Sequence, residues 1–287
     1  MTSYAQTKIN SKVLEKLDPS RWKKHQFGLS NNRWEKLSGK SFWVLGAGTG
    51  YGRCIALALM AAGAQVFISG RRIEKLQETI SEGQDLGINM QQCVPLVVDI
   101  VVESDIASAA KVISENTTQL YGLINCAALP QSHAESYPLE NQNMATWSSF
   151  LATNLTGQWL TSKIALPLMF SGEALRILFI SSEAGWAATP GFGPYNVCKS
   201  ALNTLAASFA AECAERFPDK DIQINVLVPG EARTEMNQNS SVSPFSVVSM
   251  VLTLLSHPSG GPNGCFFHRD GRHLAFAHSQ PFPQELT

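Results

Sequence analysis

From Ser41 onward, apolar runs of five to seven residues alternate with longer helical patterns. The runs are "SFWVLG" (41–46), "QVFIS" (65–69), "VPLVVD" (94–99), "GLINCAA" (122–128), "LRILFIS" (175–181) and "IQINVLV" (222–228). The pattern predicts helices over 53–64, about 72–82, near 103–118, 144–170 and 195–217, and another beginning at Pro244. Near-continuous apolar strands separated by helices indicate a parallel sheet covered on both faces. Right-handed crossovers make this a doubly wound α/β fold of about seven strands, with its ligand at the C-terminal strand edges. There is no internal repeat and no low-complexity linker. The one shift in composition falls near residue 40, so the chain reads as an N-terminal extension (1–40) followed by a single domain (41–287).

The chain has 287 residues, 44% of them hydrophobic, enough for one large α/β core. The formal net charge of -1 gives no bias toward nucleic acid, but it hides an asymmetry. Residues 1–40 hold nine Lys/Arg against three acids, while the rest hold thirteen against twenty. A basic arm carrying Trp22, Trp34 and "RWKKHQF" can dock on its own body or on a neighbouring subunit, or it can be a solvated tail. The six cysteines are scattered without a C-x-x-C pair and sit mostly in apolar runs, which suits a reducing compartment. With no leader-like segment and no apolar stretch of about 20 residues, the expectation is a soluble cytoplasmic protein, with neither membrane nor metal involved.

The stretch "LGAGTGYGRCIALALMAAGAQVFISGRR" (45–72) places four glycines between the first strand and the first helix. A missing Cβ there lets backbone N–H groups reach a pyrophosphate, and the helix N-terminus favours negative charge. Gly46, Gly50 and Gly52 give the spacing G-x-x-x-G-x-G, with Gly48, Thr49 and Tyr51 in the same turn. Strand before and helix after is the context that a dinucleotide site requires. A carboxylate ending the second strand would select NAD(H); here Ser69 and Gly70 stand there, followed by Arg71 and Arg72. A guanidinium matches a 2′-phosphate, and cations are otherwise unfavourable at a helix N-terminus. NADP(H) is therefore expected rather than NAD(H), although both arginines also fit as ordinary solvated charges.

The segment "ILFISSEAGWAATPGFGPYNVCKSAL" (177–202) sets Tyr195 and Lys199 four apart on one helix face, with Ser182 at the end of a strand thirteen residues before Tyr195. Asp99 ends the third strand, "NCAA" occupies 125–128, Asn154 lies in a helix and "PGEART" occupies 229–234. In this ordered series the sequence resembles the short-chain dehydrogenase/reductase family, in its single-domain branch, over roughly residues 40–272. The resemblance implies a Rossmann fold and hydride transfer between a nicotinamide cofactor and a carbonyl or secondary alcohol. It implies that Tyr195 is the general acid/base, Ser182 polarises the substrate oxygen and Asn154 anchors a water linked to Lys199. Lys199 would hold the nicotinamide ribose, and its ammonium would lower the Tyr195 pKa from about 10 toward neutrality. The resemblance further assigns Asp99 and Ile100 to the adenine and Asn125 and Ala127 to the ribose region. Pro229, Gly230 and Thr234 would lie by the nicotinamide and pyrophosphate. Leu45 stands where the family often has Thr, and "NCAA" replaces the commoner "NNAG".

Nine residues, "EMNQNSSVS" (235–243), separate Thr234 from the next helix, a short lid that predicts an open site for a bulky or extended small-molecule substrate, or a site completed by another subunit. Candidate substrate residues are His133, Trp186, Phe192, Glu231 and Met236. A homodimer or homotetramer is expected. Two rival functions are an extended-branch nucleotide-sugar epimerase or dehydratase and a non-catalytic NADPH-binding regulator. The first calls for a larger C-terminal domain and another glycine spacing, and the second has no need of the complete Asn154, Ser182, Tyr195 and Lys199 set.

Overall fold

The computed structural model describes residues 25–131, 138–187 and 189–275. Seven parallel strands form one sheet in the order β3-β2-β1-β4-β5-β6-β7. They are β1 (Ser41–Leu45), β2 (Gln65–Gly70), β3 (Cys93–Val97), β4 (Gly122–Asn125), β5 (Ala174–Ile180), β6 (Asp221–Val228) and β7 (Phe266–His268). The interior strand β1 is buried on both faces, and its alternation divides the core. Phe42 and Val44 join one apolar cluster, and Trp43 and Leu45 join the other.

Helices α2 (Gly50–Ala61), α3 (Ile73–Asp85) and α8 (Val248–Leu255) cover the first face. Helices α4 (Glu103–Asn116), α6 (Gly157–Met169) and α7 (Gly193–Arg216) cover the second. Between α5 (Met144–Leu151) and α6, Ala152–Thr156 forms a π-helical turn. The strand order reverses between β1 and β4, so their C-terminal ends open the crevice where such folds take ligands.

Each expected strand and helix forms, with ends shifted by a few residues. Edge strand β3 departs from continuous burial because it has a neighbour on one side only, and Val97 is 56% exposed. Among the described residues, no helix is long and apolar enough to cross a membrane.

Most of the N-terminal arm, including Trp22, lies outside the described residues, but residues 25–40 dock on their own domain. A short helix α1 (Asn31–Glu35) and its flanks bury Phe27 and Leu37 in the α2/α8 cluster, with Trp34 packed against it. Phe27 stacks on Phe245, and Arg33 donates to the Thr253 carbonyl of α8. Burial of this kind contributes roughly 2 kcal/mol per large side chain. Deleting residues 1–40 is therefore expected to lower the melting temperature by several degrees, and Phe27→Ala alone to cost about 3 kcal/mol in denaturant unfolding. Unchanged unfolding in both would mean that the segment contributes nothing to the core.

Candidate active site

The glycine turn after β1 is held by close backbone contact. A Cβ on Gly52 would lie 2.3 Å from the Gly46 carbonyl oxygen, and one on Gly46 would lie 2.8 Å from the Ala127 nitrogen. Gly46 and Gly50 also adopt φ of 73° and 53°, the left-handed region that glycine enters without strain. The turn's carbonyls are bound from outside: Thr79 Oγ1 donates to Ala47 O at 2.9 Å, and Arg53 Nε donates to Gly48 O at 3.0 Å. Arg53 is in turn paired with Glu78 and Glu82 of α3.

This turn forms one wall of a cleft of about 980 Å³ at the C-terminal strand ends. Gly46, Gly48, Thr49, Gly50, Tyr51 and Gly52 all line it, as do Ser69, Arg71 and Arg72. So do Asp99, Ile100, Ala127, Pro229, Gly230 and Thr234. Tyr51 donates its hydroxyl to the Gly230 carbonyl at 2.7 Å, tying the glycine turn to the loop after β6.

Four of the expected cofactor residues have partners within the chain. Asn125 is fully buried and absent from the cleft lining; its amide donates to Ser162 Oγ at 3.4 Å. As the last β4 residue it turns toward Ser162 of α6, and its neighbours Cys126 and Ala127 line the cleft instead. The Ser69 hydroxyl is taken by the indole of Trp43 at 2.7 Å. Arg72 is engaged by Glu235 at 2.6 Å, whereas Arg71 has no hydrogen bond or ion pair among the described residues. Asp99 caps its own turn by accepting from the Val101 N–H at 3.1 Å, while the helix after it starts at Glu103.

At the other end of the cleft, Ser182, Tyr195 and Lys199 converge. Ser182 follows β5 and starts a 3₁₀ turn whose Ala184 N–H it caps at 3.2 Å. Tyr195 and Lys199 occupy the first two turns of α7, which Pro194 opens. The Ser182 side chain neighbours the Tyr195 hydroxyl, and the Tyr195 ring packs edge-on against Phe150 and Phe192. Lys199 is buried; its ammonium donates to Ile180 O at 2.9 Å and lies 5.6 Å from the Tyr195 ring centroid. Asn154 sits behind the lining in the π turn, where such irregularities often accompany function. Its side chain grips the Leu129 backbone, accepting from N–H at 2.6 Å and donating to the carbonyl at 3.1 Å. That clasp holds the segment after β4 against α6.

The protonation balance differs from expectation. Burial pushes the Tyr195 hydroxyl up to about 12, and the neighbouring Ser182 opposes this only in part. Burial pulls the Lys199 ammonium down to about 8. Lys199 gives its hydrogen bond to a carbonyl rather than to the phenol, and desolvation dominates both groups.

Of the candidate substrate residues, Phe192, Glu231 and Met236 line the cleft. Trp186 does not; it is 42% exposed and lies outside the lining. His133 lies outside the described residues. The cleft also takes Gln131, Glu183, Glu235 and Asn237, which sequence reasoning missed because their patterns carry no periodic or motif signal. Glu183 faces His268 of β7 at 3.6 Å, and His268 pairs with Asp270 at 2.9 Å. The bond to Glu183 raises the His268 pKa above its ordinary value. Among the described residues there is no cluster of metal-ligating side chains.

Residues 40–244 match the short chain dehydrogenase family. The chain belongs to the short-chain dehydrogenase/reductase family. A mouse relative, dehydrogenase/reductase SDR family member 1, is 32% identical over 206 residues, covering 70% of this chain and 63% of the mouse protein. The chain thus spans less than two thirds of that relative. Among solved structures, a short-chain type dehydrogenase/reductase from Mycobacterium ulcerans superposes with a TM-score of 0.73 at 25% identity, covering 80% of this chain and 88% of that one. A chain from Escherichia coli CFT073, solved in complex with NADPH, gives 0.73 at 24% identity, covering 82% and 98%. As a member of this family, the protein has the fold and the oxidoreductase class that its sequence motifs resemble.

The depressed Lys199 pKa has a thermodynamic consequence. Between about 8 and the ordinary 10.5, the unfolded chain binds a proton that the folded chain has shed, so stability rises with pH there. Thermal melts of wild type and Lys199→Met at pH 7 and pH 10 test this. The wild type is expected to gain on the variant at the higher pH, and a pH-independent gap would contradict the burial of a titrating lysine.

Proposed function

We propose that the protein is an NADP(H)-dependent oxidoreductase that interconverts a carbonyl and a secondary alcohol. The observation that carries this reading is the joining, in one cleft, of the glycine turn and Arg71 at one end with Ser182, Tyr195 and Lys199 at the other. The glycine turn lines the cleft at the N-terminus of α2, where backbone N–H groups fit a pyrophosphate. Arg71, unpaired among the described residues, fits a 2′-phosphate. The NADPH held by the Escherichia coli chain of the same fold supports the same choice.

In this reading the nicotinamide supplies a hydride to the carbonyl carbon. The chain's own residues handle the oxygen. Ser182 donates a hydrogen bond to it where negative charge grows. Tyr195 gives it the Oη proton, so that a carbonyl, a hydride and a proton become an alcohol. A hydroxyl pKa near 12 keeps Tyr195 protonated at neutral pH, the form that reduction requires. Lys199 holds positive charge behind the phenol and supports the phenolate left after transfer. Asn154 keeps the wall after β4 in place through Leu129. Proton release at high pH starves reduction and favours alcohol oxidation.

Titration with NADPH and NADH, followed by nicotinamide fluorescence and then a carbonyl panel, tests the reading. Arg71→Ala is expected to weaken NADPH by at least tenfold while leaving NADH within about twofold. Tyr195→Phe is expected to lower turnover by about a thousandfold or more with NADPH affinity nearly intact. Equal losses for both nucleotides would remove the phosphate assignment, and retained turnover would overturn the role of Tyr195.

A further inference from the structure

Glu235 is the first residue of the nine-residue loop that follows Thr234, and its side chain reaches the start of α3. Its Oε2 accepts from Arg72 Nη2 at 2.6 Å, and its Oε1 lies 4.0 Å from Lys75 Nζ. Both cations line the end of the cleft that the NADP(H) reading gives to the 2′-phosphate, and Glu235 lines it with them. Arg71, next in line, carries no such partner among the described residues. One cation cluster is thus half open and half neutralised by the chain's own carboxylate.

The ion pair is weakly held. Its side chains are 51% and 47% exposed, and pairs in that setting contribute little because water and salt screen them. Lys75 is also shared, since its ammonium binds Glu78 at 2.7 Å. A phosphate dianion carries more charge than a carboxylate and offers more acceptor oxygens to a guanidinium. A dianion and Glu235 cannot both sit on Arg72 without like-charge repulsion.

We infer that Glu235 competes with the 2′-phosphate of NADP(H) for Arg72 and Lys75, and so sets the margin by which the protein prefers NADPH to NADH. The inference rests on the NADP(H) reading above. It has a second consequence. The rest of the loop is braced locally, by the Thr234–Asn237 bridge and by Arg233 bonded to the Ser240 and Val242 backbones. Glu235 is the residue that ties it to α3, so phosphate binding releases that tie. By linkage, whatever loosens the loop from α3 tightens NADPH to the same degree.

Isothermal titration of wild type, Glu235→Gln and Arg71→Ala with NADPH and NADH tests this, with amide hydrogen exchange of residues 235–243 as a second readout. Glu235→Gln keeps the shape of an exposed side chain, so the fold is retained. It is expected to tighten NADPH by about threefold to tenfold while leaving NADH within about twofold. In wild type, NADPH but not NADH is expected to speed exchange in 235–243, and in Glu235→Gln exchange is fast with either. A Glu235→Gln variant that weakens NADPH, or shifts both nucleotides equally, overturns the competition and leaves a structural clasp. If wild type prefers NADPH and Arg71→Ala abolishes the preference while Glu235→Gln leaves it unchanged, only the role of Glu235 falls. If wild type shows no preference for NADPH and Arg71→Ala changes neither nucleotide, the NADP(H) reading falls and the inference with it.

Discussion

The contact on which the site depends is backbone against backbone, where the Cα of Gly52 meets the Gly46 carbonyl and Gly46 meets the Ala127 nitrogen. No side chain larger than hydrogen fits at either position. That approach brings the end of β1, the end of β4 and the first turn of α2 together. It therefore sets where the cleft opens and which amides and carbonyls border it. Thr79 and Arg53 then occupy the carbonyls of Ala47 and Gly48 from the α3 side. The turn is held from behind, and its front is left to the cleft.

Burial imposes the second constraint. The same desolvation acts on two neighbouring groups with opposite sign, raising the hydroxyl pKa of Tyr195 and lowering that of the Lys199 ammonium. Both groups are rigidly placed, because α7 starts at the site and β5 ends there. The Lys199 ammonium is anchored on Ile180 O, and the Tyr195 ring is held edge-on between Phe150 and Phe192. Two titratable groups at a helix start, backed by the last residues of a strand, need no mobile part to be brought together.

Much of this was legible in the sequence, for physical reasons. The strand faces could be read because period-two alternation in "SFWVL" maps directly onto two cores. The glycine turn could be read because its spacing lies between a strand and a helix. The departures came from interactions between residues distant in sequence or from competition among forces. Asn125 turns toward Ser162 of α6, and Trp43 claims the Ser69 hydroxyl from the neighbouring strand. Glu235 meets Arg72 from 163 residues away, a pairing that no local pattern announces. The π turn around Asn154 replaces part of an otherwise ordinary helical period. The direction of the Tyr195 pKa follows depth of burial, which a sequence does not display, rather than proximity to a cation, which it does.

The most direct measurement is a crystal structure of the protein grown with saturating NADPH. The account predicts the pyrophosphate against Gly46–Gly52, the 2′-phosphate against Arg71 and the nicotinamide beside Ser182 and Tyr195. A nucleotide bound in the opposite direction, or a cleft left empty at saturation, would contradict it.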